Sequence, residues 1–440
     1  MATATIEISP AASRRARILA SLIPMSSGPG EIASLDGLRA LAALGVMLFH
    51  AYYVVSSVVI IGGVDVTYLW YFAQTGVHLF FVLSGFLLFT PFARAMLDGR
   101  PLPSTKRFFQ RRALRILPAY WVCLVILVAI QYRQYLNLAG LENIGLHLIM
   151  FHDDFYFSER AINGPFWTLA IEAQFYLLLP LMAWGISKFV GATRSRLRLF
   201  IGVGAIILGA LALRSVDATV RGRYFNRTGL VADIANGFVH LTLGSQGKFI
   251  EVFALGMLCS VLYLTAQDES RRLRRRLPMI GVVLVGAAVV VWPMLAQLAT
   301  KYYFFAPPFV LFYHAFDWIV ICGPLLTGLP YAALTIGVLW APRWLRAVFE
   351  AWPLRFIGLI SYSLYLWHLP ILALVANFTT KLPTNTRIGA ELLAGLLIAI
   401  PIAYLSYQLV ERPFLSRRRR LATGFNANTQ ATTAPEGARM

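Results

Sequence analysis

The 440-residue sequence predicts an all-α, polytopic integral membrane protein of about ten transmembrane helices, and three observations carry that prediction. Hydrophobic residues make up 58% of the chain and charged residues only 13%, about half the share of an ordinary soluble domain. The apolar residues fall in long runs rather than in stripes. The basic residues then gather on alternate sides of those runs. A cytosolic enzyme is excluded. A net charge of +19 would suit a nucleic-acid-binding protein only if its cations lay on an aqueous domain, and hardly any such domain is available to carry them. No nucleic-acid partner is expected.

Runs of about 17 to 25 mostly apolar residues, enough to cross a hydrocarbon core of about 30 Å, lie at approximately 38–61, 70–92, 116–132, 166–187, 199–213, 249–266, 277–298, 318–340, 356–377 and 388–410. Two shorter apolar pieces, 142–151 and 302–316, are interrupted by charge or by Pro307-Pro308 and read as interfacial or re-entrant; one of them would raise the count to eleven. Arg14, Arg15 and Arg17 are followed by polar and Gly/Pro residues before any long apolar run, so no cleavable leader is expected. With ten spans and the N-terminus inside, 27 of the 39 Lys and Arg fall on the inner side and 9 on the outer, the asymmetry of the positive-inside rule. Both termini are therefore expected in the cytoplasm, in a multi-pass inner or plasma-membrane protein. The chain divides into a cytoplasmic segment 1–35, a membrane domain 36–414 and a tail 415–440, basic at Arg417 to Arg420 and then disordered. Cys123, Cys259 and Cys322 lack disulfide or metal-ligand spacing and read as small apolar residues; no metal is expected.

Ionisable side chains within spans are costly and mark cavities, so they lead to the chemistry. Arg39 opens the first span and His50 lies eleven residues on, at its expected middle. Eleven helical steps of 100° bring both side chains to one face, about 16 Å apart along the axis. Asp36 reads as the cap of this helix. His78 falls within GVHLFFVLSGFL in the second span, where Ser84 and Gly85 suit close helix packing or a ligand. Before the third span, FFQRRALRILPAYW places Arg112 and Arg115 at i, i+3, a fork suited to phosphate as well as to topology. The fourth span begins GPFWTLAIEAQFYLLLP, with Glu172 about two turns into the membrane and Trp167, Gln174 and Tyr176 beside it. A carboxylate there must be paired or must do chemistry. The ninth span carries ISYSLYLWHLP, with Tyr362, Tyr365 and His368; Tyr362 reads as pocket or interfacial belt, and His368 lies near mid-span. Glu251, early in the sixth span, is a further ionisable residue of unassigned role.

In this order, SLDGLRALAALGVMLFH, FFVLSGFLL, RRALRILPAYW, PFWTLAIEAQFYLLLPL, ISYSLYLWHLP and VERPF resemble the acyltransferase family 3 of integral-membrane O-acyltransferases. The resemblance covers some 380 residues, and the Arg39-x10-His50 spacing is its signature. It implies transfer of an acyl group, usually acetyl, from cytoplasmic acyl-CoA to a hydroxyl of a cell-envelope glycan, glycolipid or related acceptor. Carried over position by position, His50 is the essential histidine, Arg39 its partner, Glu172 the carboxylate of the fourth-span motif, and Arg39, Arg112 and Arg115 the cations for the donor's phosphates. His78, Ser84, Trp167, Tyr176, Tyr362 and His368 are then expected to line the acceptor site, and membrane lipid surrounds the whole. Two departures stand out: His78 replaces the Asp common in GVDLFFVLSG, and Thr168 replaces Ser. With no SGNH-type domain after the last span, delivery is expected to be direct or through a separate partner.

In the mechanism this implies, His50 acts as general base on the acceptor hydroxyl, with Glu172 orienting it or stabilising its charged form. Mid-membrane His and Glu also serve proton relays, so a transporter or flippase of a glycan or lipid is the rival reading.

Overall fold

The computed structural model describes residues 32–55, 59–155, 157–224, 248–303 and 317–415, with a few positions between 229 and 238. Among the described residues ten helical stretches are long and apolar enough to cross a membrane, as the hydropathy runs predict. The helices are α1 (Ala33–Val55), α2 (Thr67–Phe72), α3 (Gly76–Asp98), α4 (Thr105–Ile130), α5 (Leu138–Leu148), α6 (Phe166–Val190), α7 (Arg196–Tyr224), α8 (Ile250–Gln267), α9 (Arg271–Tyr303), α10 (Asp317–Trp340), α11 (Arg343–Phe349), α12 (Trp352–Thr379) and α13 (Thr384–Ser406). A π turn, Tyr407–Glu411, follows α13. Among the described residues the only strand pairing is a hairpin of β1 (Ile60–Ile61) and β2 (Val64–Asp65), turned by Gly62 and Gly63 at positive φ. The tail beyond Leu415 and the segment 304–316 lie outside the described residues.

Several helices extend past the apolar runs, because hydropathy registers oily residues and not the polar turns that continue a helix. The third span is expected from 116, yet α4 begins at Thr105, so Arg112 and Arg115 lie two and more turns inside a helix. The first span is expected at 38–61, yet α1 runs from Ala33 to Val55 and the hairpin follows. Asp36 is consequently a first-turn residue and not the cap. His50 is five residues from the helix end rather than at mid-span, about 8 Å from that end by helix rise. The piece at 142–151 folds as α5, an 11-residue helix too short to span, fastened to α4 where Tyr120 Oη donates to His147 O (3.1 Å) and Trp121 Nε1 to Leu148 O (3.0 Å).

Two tight helix pairs position everything else. α1 packs on α12, and a Cβ added to Gly358 would stand 2.0 Å from the Asp36 carbonyl oxygen. α3 packs on α8 through reciprocal glycines: a Cβ on Gly85 would stand 2.0 Å from Phe253 O, and one on Gly256 2.0 Å from Val82 O. Gly85 therefore serves helix packing, one of the two roles open to it in the sequence. α13 covers the α1–α12 pair through Met47, Leu364, Leu372 and Ala403. α4, α6, α8 and α10 enclose the aromatic core of α3, including Phe81, Phe86, Phe89 and Phe92.

Candidate active site

The site begins with two histidines that the chain separates by 318 positions. His368 Nε2, from α12, lies 3.2 Å from His50 Nδ1 of α1, with ring centroids 4.9 Å apart. The α1–α12 glycine contact explains how two backbones come close enough for imidazoles to touch. Carbonyl oxygens accept and never donate, which settles the tautomers. His50 Nδ1 is 2.9 Å from Val46 O and His368 Nδ1 is 2.7 Å from Tyr365 O, so both Nδ1 atoms carry the proton. The one Nδ1 proton of His50 is then shared between Val46 O and, at the longer distance, His368 Nε2, and the lone pair of His50 Nε2 is left for a substrate. His50 is half-buried, whereas His368 is sealed at 1% exposure. One imidazole can be reached and the other holds it.

A second cluster gathers around Glu172. Its Oε1 accepts from Ser84 Oγ at 2.6 Å, which gives Ser84 a polar role on α3 while its neighbour Gly85 makes the helix contact. The carboxylate is also near enough to interact electrostatically with Arg39, Arg112, Tyr176, Tyr362 and Tyr365. Arg115 is in turn an electrostatic neighbour of both Arg39 and Arg112. Arg39 pairs with Asp36 at 2.8 Å, one helical turn back. Among the described residues the buried Nε of Arg112 has no hydrogen-bond partner. Two helices, α1 and α4, thus bring the guanidinium groups of Arg39 and Arg112 to the carboxylate on α6, with Arg115 beside both arginines. Tyr362 is no belt residue: its hydroxyl donates to Ile116 O of α4 at 2.9 Å, tying α12 to the arginine-bearing helix.

The two clusters are joined by Tyr365. Its hydroxyl donates to Pro165 O (3.1 Å) and lies 2.5 Å from Thr168 Oγ1, while its carbonyl holds His368. A polar column therefore runs from Arg39, Arg112 and Arg115 past Glu172 and Tyr365 to His368 and His50. No hydrogen bond among the described residues joins Glu172 to His50. His368, expected at the acceptor, occupies the orienting place that the sequence reading assigns to Glu172, because α12 and not α6 is packed against α1. Thr168 keeps the hydroxyl that the commoner Ser would supply, and uses it to fix Tyr365.

His78 and Trp167 lie apart from this column. Six residues separate His78 from Ser84, turning the two about 120° from one another. The buried His78 ring packs edge-on to Phe249 at 5.3 Å, and Trp167 meets the same ring at 5.9 Å. Arg214 covers Phe249 at 5.4 Å and pairs with the buried Glu251 at 2.7 Å, which gives that carboxylate a structural partner. Gln174 is likewise turned away from Glu172 and donates to Asp154 at 2.5 Å.

Between α5 and α6 lies a buried polar cluster. Asp153 and Asp154 are buried beside Lys248, which bonds Asp154 and lies 3.8 Å from Asp153. His147 and His152, both fully buried, stack with parallel rings 4.0 Å apart. Burial pushes the Asp153 carboxyl up to about 8, against the opposing pull of Lys248, and pushes His147 down to about 4. His152 is lowered further still by burial and by its neighbour His147. The run FHDDF holds the signal, since aromatic residues on both sides of two acids are unusual on a solvated surface.

Comparison with known proteins gives one family. A family model described as an acyltransferase domain matches residues 32–408. The chain is 26% identical over 397 residues to the peptidoglycan O-acetyltransferase of Listeria monocytogenes serovar 1/2a, covering 87% of this chain and 55% of that protein. It is 24% identical over 400 residues to a putative O-acetyltransferase of Staphylococcus aureus strain COL, covering 87% and 57%. It is 25% identical over 415 residues to a putative peptidoglycan O-acetyltransferase of Bacillus subtilis strain 168, covering 87% and 54%. The chain thus spans little more than half the length of these curated relatives. No solved structure matches it. The family match takes in Arg39, His50, Arg112, Arg115, Glu172 and His368 together, and the chain belongs to the acyltransferase family 3 of multi-pass membrane proteins.

Proposed function

We propose that this protein is an acyl-CoA-dependent O-acyltransferase that carries an acyl group, acetyl in the simplest case, to a hydroxyl of a cell-envelope glycan. Peptidoglycan, named for two of the relatives, is the first acceptor to try; a glycolipid is the second. The observation that carries the reading is the free lone pair of His50 Nε2, at one end of a polar column whose other end holds three arginines. The donor's phosphates sit at Arg39, Arg112 and Arg115, and its thioester reaches along the column toward His50. The Arg39–His50 rise of about 16 Å is of the order of a pantetheine arm. His50 Nε2 takes the proton of the acceptor hydroxyl as the oxygen attacks the thioester carbonyl. The tetrahedral intermediate collapses with loss of the CoA thiolate, which receives the proton back from His50. The products are the O-acyl ester and free CoA, and no acyl-enzyme is required. His368 Nε2 accepts from His50 Nδ1 and steadies the imidazolium that forms between the two steps.

The test is purified protein in proteoliposomes supplied with acetyl-CoA and peptidoglycan fragments, with the products weighed by mass spectrometry. Wild type should yield acceptor heavier by one acetyl group together with free CoA, and His50→Ala should lose at least about 100-fold in rate while remaining folded. Unmodified acceptor moved across the membrane would establish the transporter reading instead.

A further inference from the structure

At the end of the molecule where α1 and α9 begin, a cavity of about 480 Å³ opens between the last turn of α8, the first turns of α9, the last turn of α10 and α11. Arg274, Arg343 and Arg346 supply its charge, and Leu277, Leu339 and Trp340 its apolar wall. Among the described residues none of the three arginines has an ion pair, and the buried Nε of Arg346 has no hydrogen-bond partner. Of the nearby acids, Asp268 and Glu269 are engaged by Arg196, at 3.2 and 3.3 Å, and Glu350, one turn beyond Arg346, makes no ion pair with the cavity arginines among the described residues. A second observation points the same way. α9 begins with Arg271, Arg272, Arg274, Arg275 and Arg276 and has no acid in its first turn, so five cations crowd the positive end of a 33-residue helix dipole. Such an arrangement is stabilised by an anion from outside the chain.

The apolar wall narrows the choice of anion. Leu277 and Leu339 line the same cavity as the arginines, and α9 continues from Leu277 at heptad spacing with the half-buried Leu284 and with Val291, exposed at 40%, an apolar strip within about 40° of Leu277 and suited to hydrocarbon. A free phosphate would use the arginines and ignore this wall; a phosphate tethered to acyl chains uses both. We propose that the cavity binds the phosphate headgroup of an anionic glycerophospholipid, with Arg274, Arg343 and Arg346 as its ligands and its acyl chains along α9. The occupant also bears on α11, whose Phe349 backbone leaves no space for a side chain on Gly37, two residues before Arg39. The bound lipid braces the start of the helix that carries Arg39 and His50. The site does not depend on which acyl group or acceptor the protein uses.

The probe is phosphatidylglycerol. Protein in nanodiscs of mixed phosphatidylcholine and phosphatidylglycerol is transferred to detergent, and the retained lipid is counted by native mass spectrometry. Wild type should retain one phosphatidylglycerol in preference to phosphatidylcholine. The triple variant Arg274→Gln, Arg343→Gln, Arg346→Gln should lose about 100-fold in that preference, as expected for three basic residues. A control triple variant of equal charge, Arg94→Gln, Arg107→Gln, Arg198→Gln, should keep it, and thermal unfolding of all three proteins shows whether each is folded. Equal retention of both lipids by wild type, equal loss in the control, or displacement of the lipid by inorganic phosphate or by CoA would overturn the assignment.

Discussion

In the proposed mechanism His50 is the base and His368 its support. On that assignment, removing the base abolishes transfer, whereas removing the support alters how well the base is held. His368→Ala should lower kcat by about 10- to 100-fold and move the pH–rate profile with little change in the KM for donor, while His368→Gln, which can still meet His50 Nδ1, should recover part of the rate. A merely structural residue would leave the profile where it is. At the other end, Arg112→Lys keeps the charge and loses the planar fork, so the KM for acyl-CoA should rise about tenfold with kcat nearly unchanged. Steady-state kinetics at varied donor concentration distinguish the two cases. The arginines, Glu172 and His50 are visible in the sequence because ionisable groups in apolar runs are conspicuous. The partnership of His50 with His368 is not, since it crosses 318 positions and depends on which helix packs against α1.

Among the elements, the α3–α8 pair rests on backbone contact. Gly256→Ala would force a methyl to within 2.0 Å of Val82 O, and the cost should be about 1–3 kcal/mol or more, seen as a lower unfolding temperature in detergent. Gly286, with open space around it, should accept alanine without loss. The cluster between α5 and α6 makes stability depend on pH in two directions. Asp153 ionises near 3.8 when unfolded and about 8 when folded among Lys248, Asp154, Glu159 and Arg160, so its contribution is lost as pH rises through that interval. His147 and His152 protonate near 6.5 when unfolded and resist it when folded, so their contribution is lost as pH falls below 6.5. Below 6.5 two imidazoles outweigh one carboxyl; above it Asp153 acts alone. This cluster's share of stability should therefore peak near pH 6.5, each uncompensated proton being worth about 1.4 kcal/mol per pH unit. Asp153→Asn should lessen the fall in unfolding temperature above that pH relative to wild type.

For the whole molecule, the arginine-rich ends of α4, α9 and α11 share one side under the positive-inside rule. In a Cys322→Ser background, a cysteine at Arg100 should react with an impermeant maleimide only from the cytoplasmic side, and one at Asp65 only from the opposite side. Reversal would overturn the proposed donor site, because it would place Arg39, Arg112 and Arg115 where no cytoplasmic acyl-CoA reaches them. The all-α class and the ten crossings are legible from composition and hydropathy, because the bilayer imposes one length and one polarity on every span. Helix ends are less legible: turns of low mean hydropathy from Ala33 and from Thr105 continue helices beyond the apolar runs, and α1 stops at Val55, which leaves His50 toward one end. The two acids of FHDDF are buried only because α5 and α6 close over them, which local sequence does not fix. The fate of each polar side chain is likewise beyond a linear reading, for Glu172, Gln174 and Glu251 are all acids or amides in apolar spans. One faces Ser84 and the arginines, one Asp154, one Arg214. Local composition sets what each residue needs; only the packing of helices distant in the chain decides which partner meets that need.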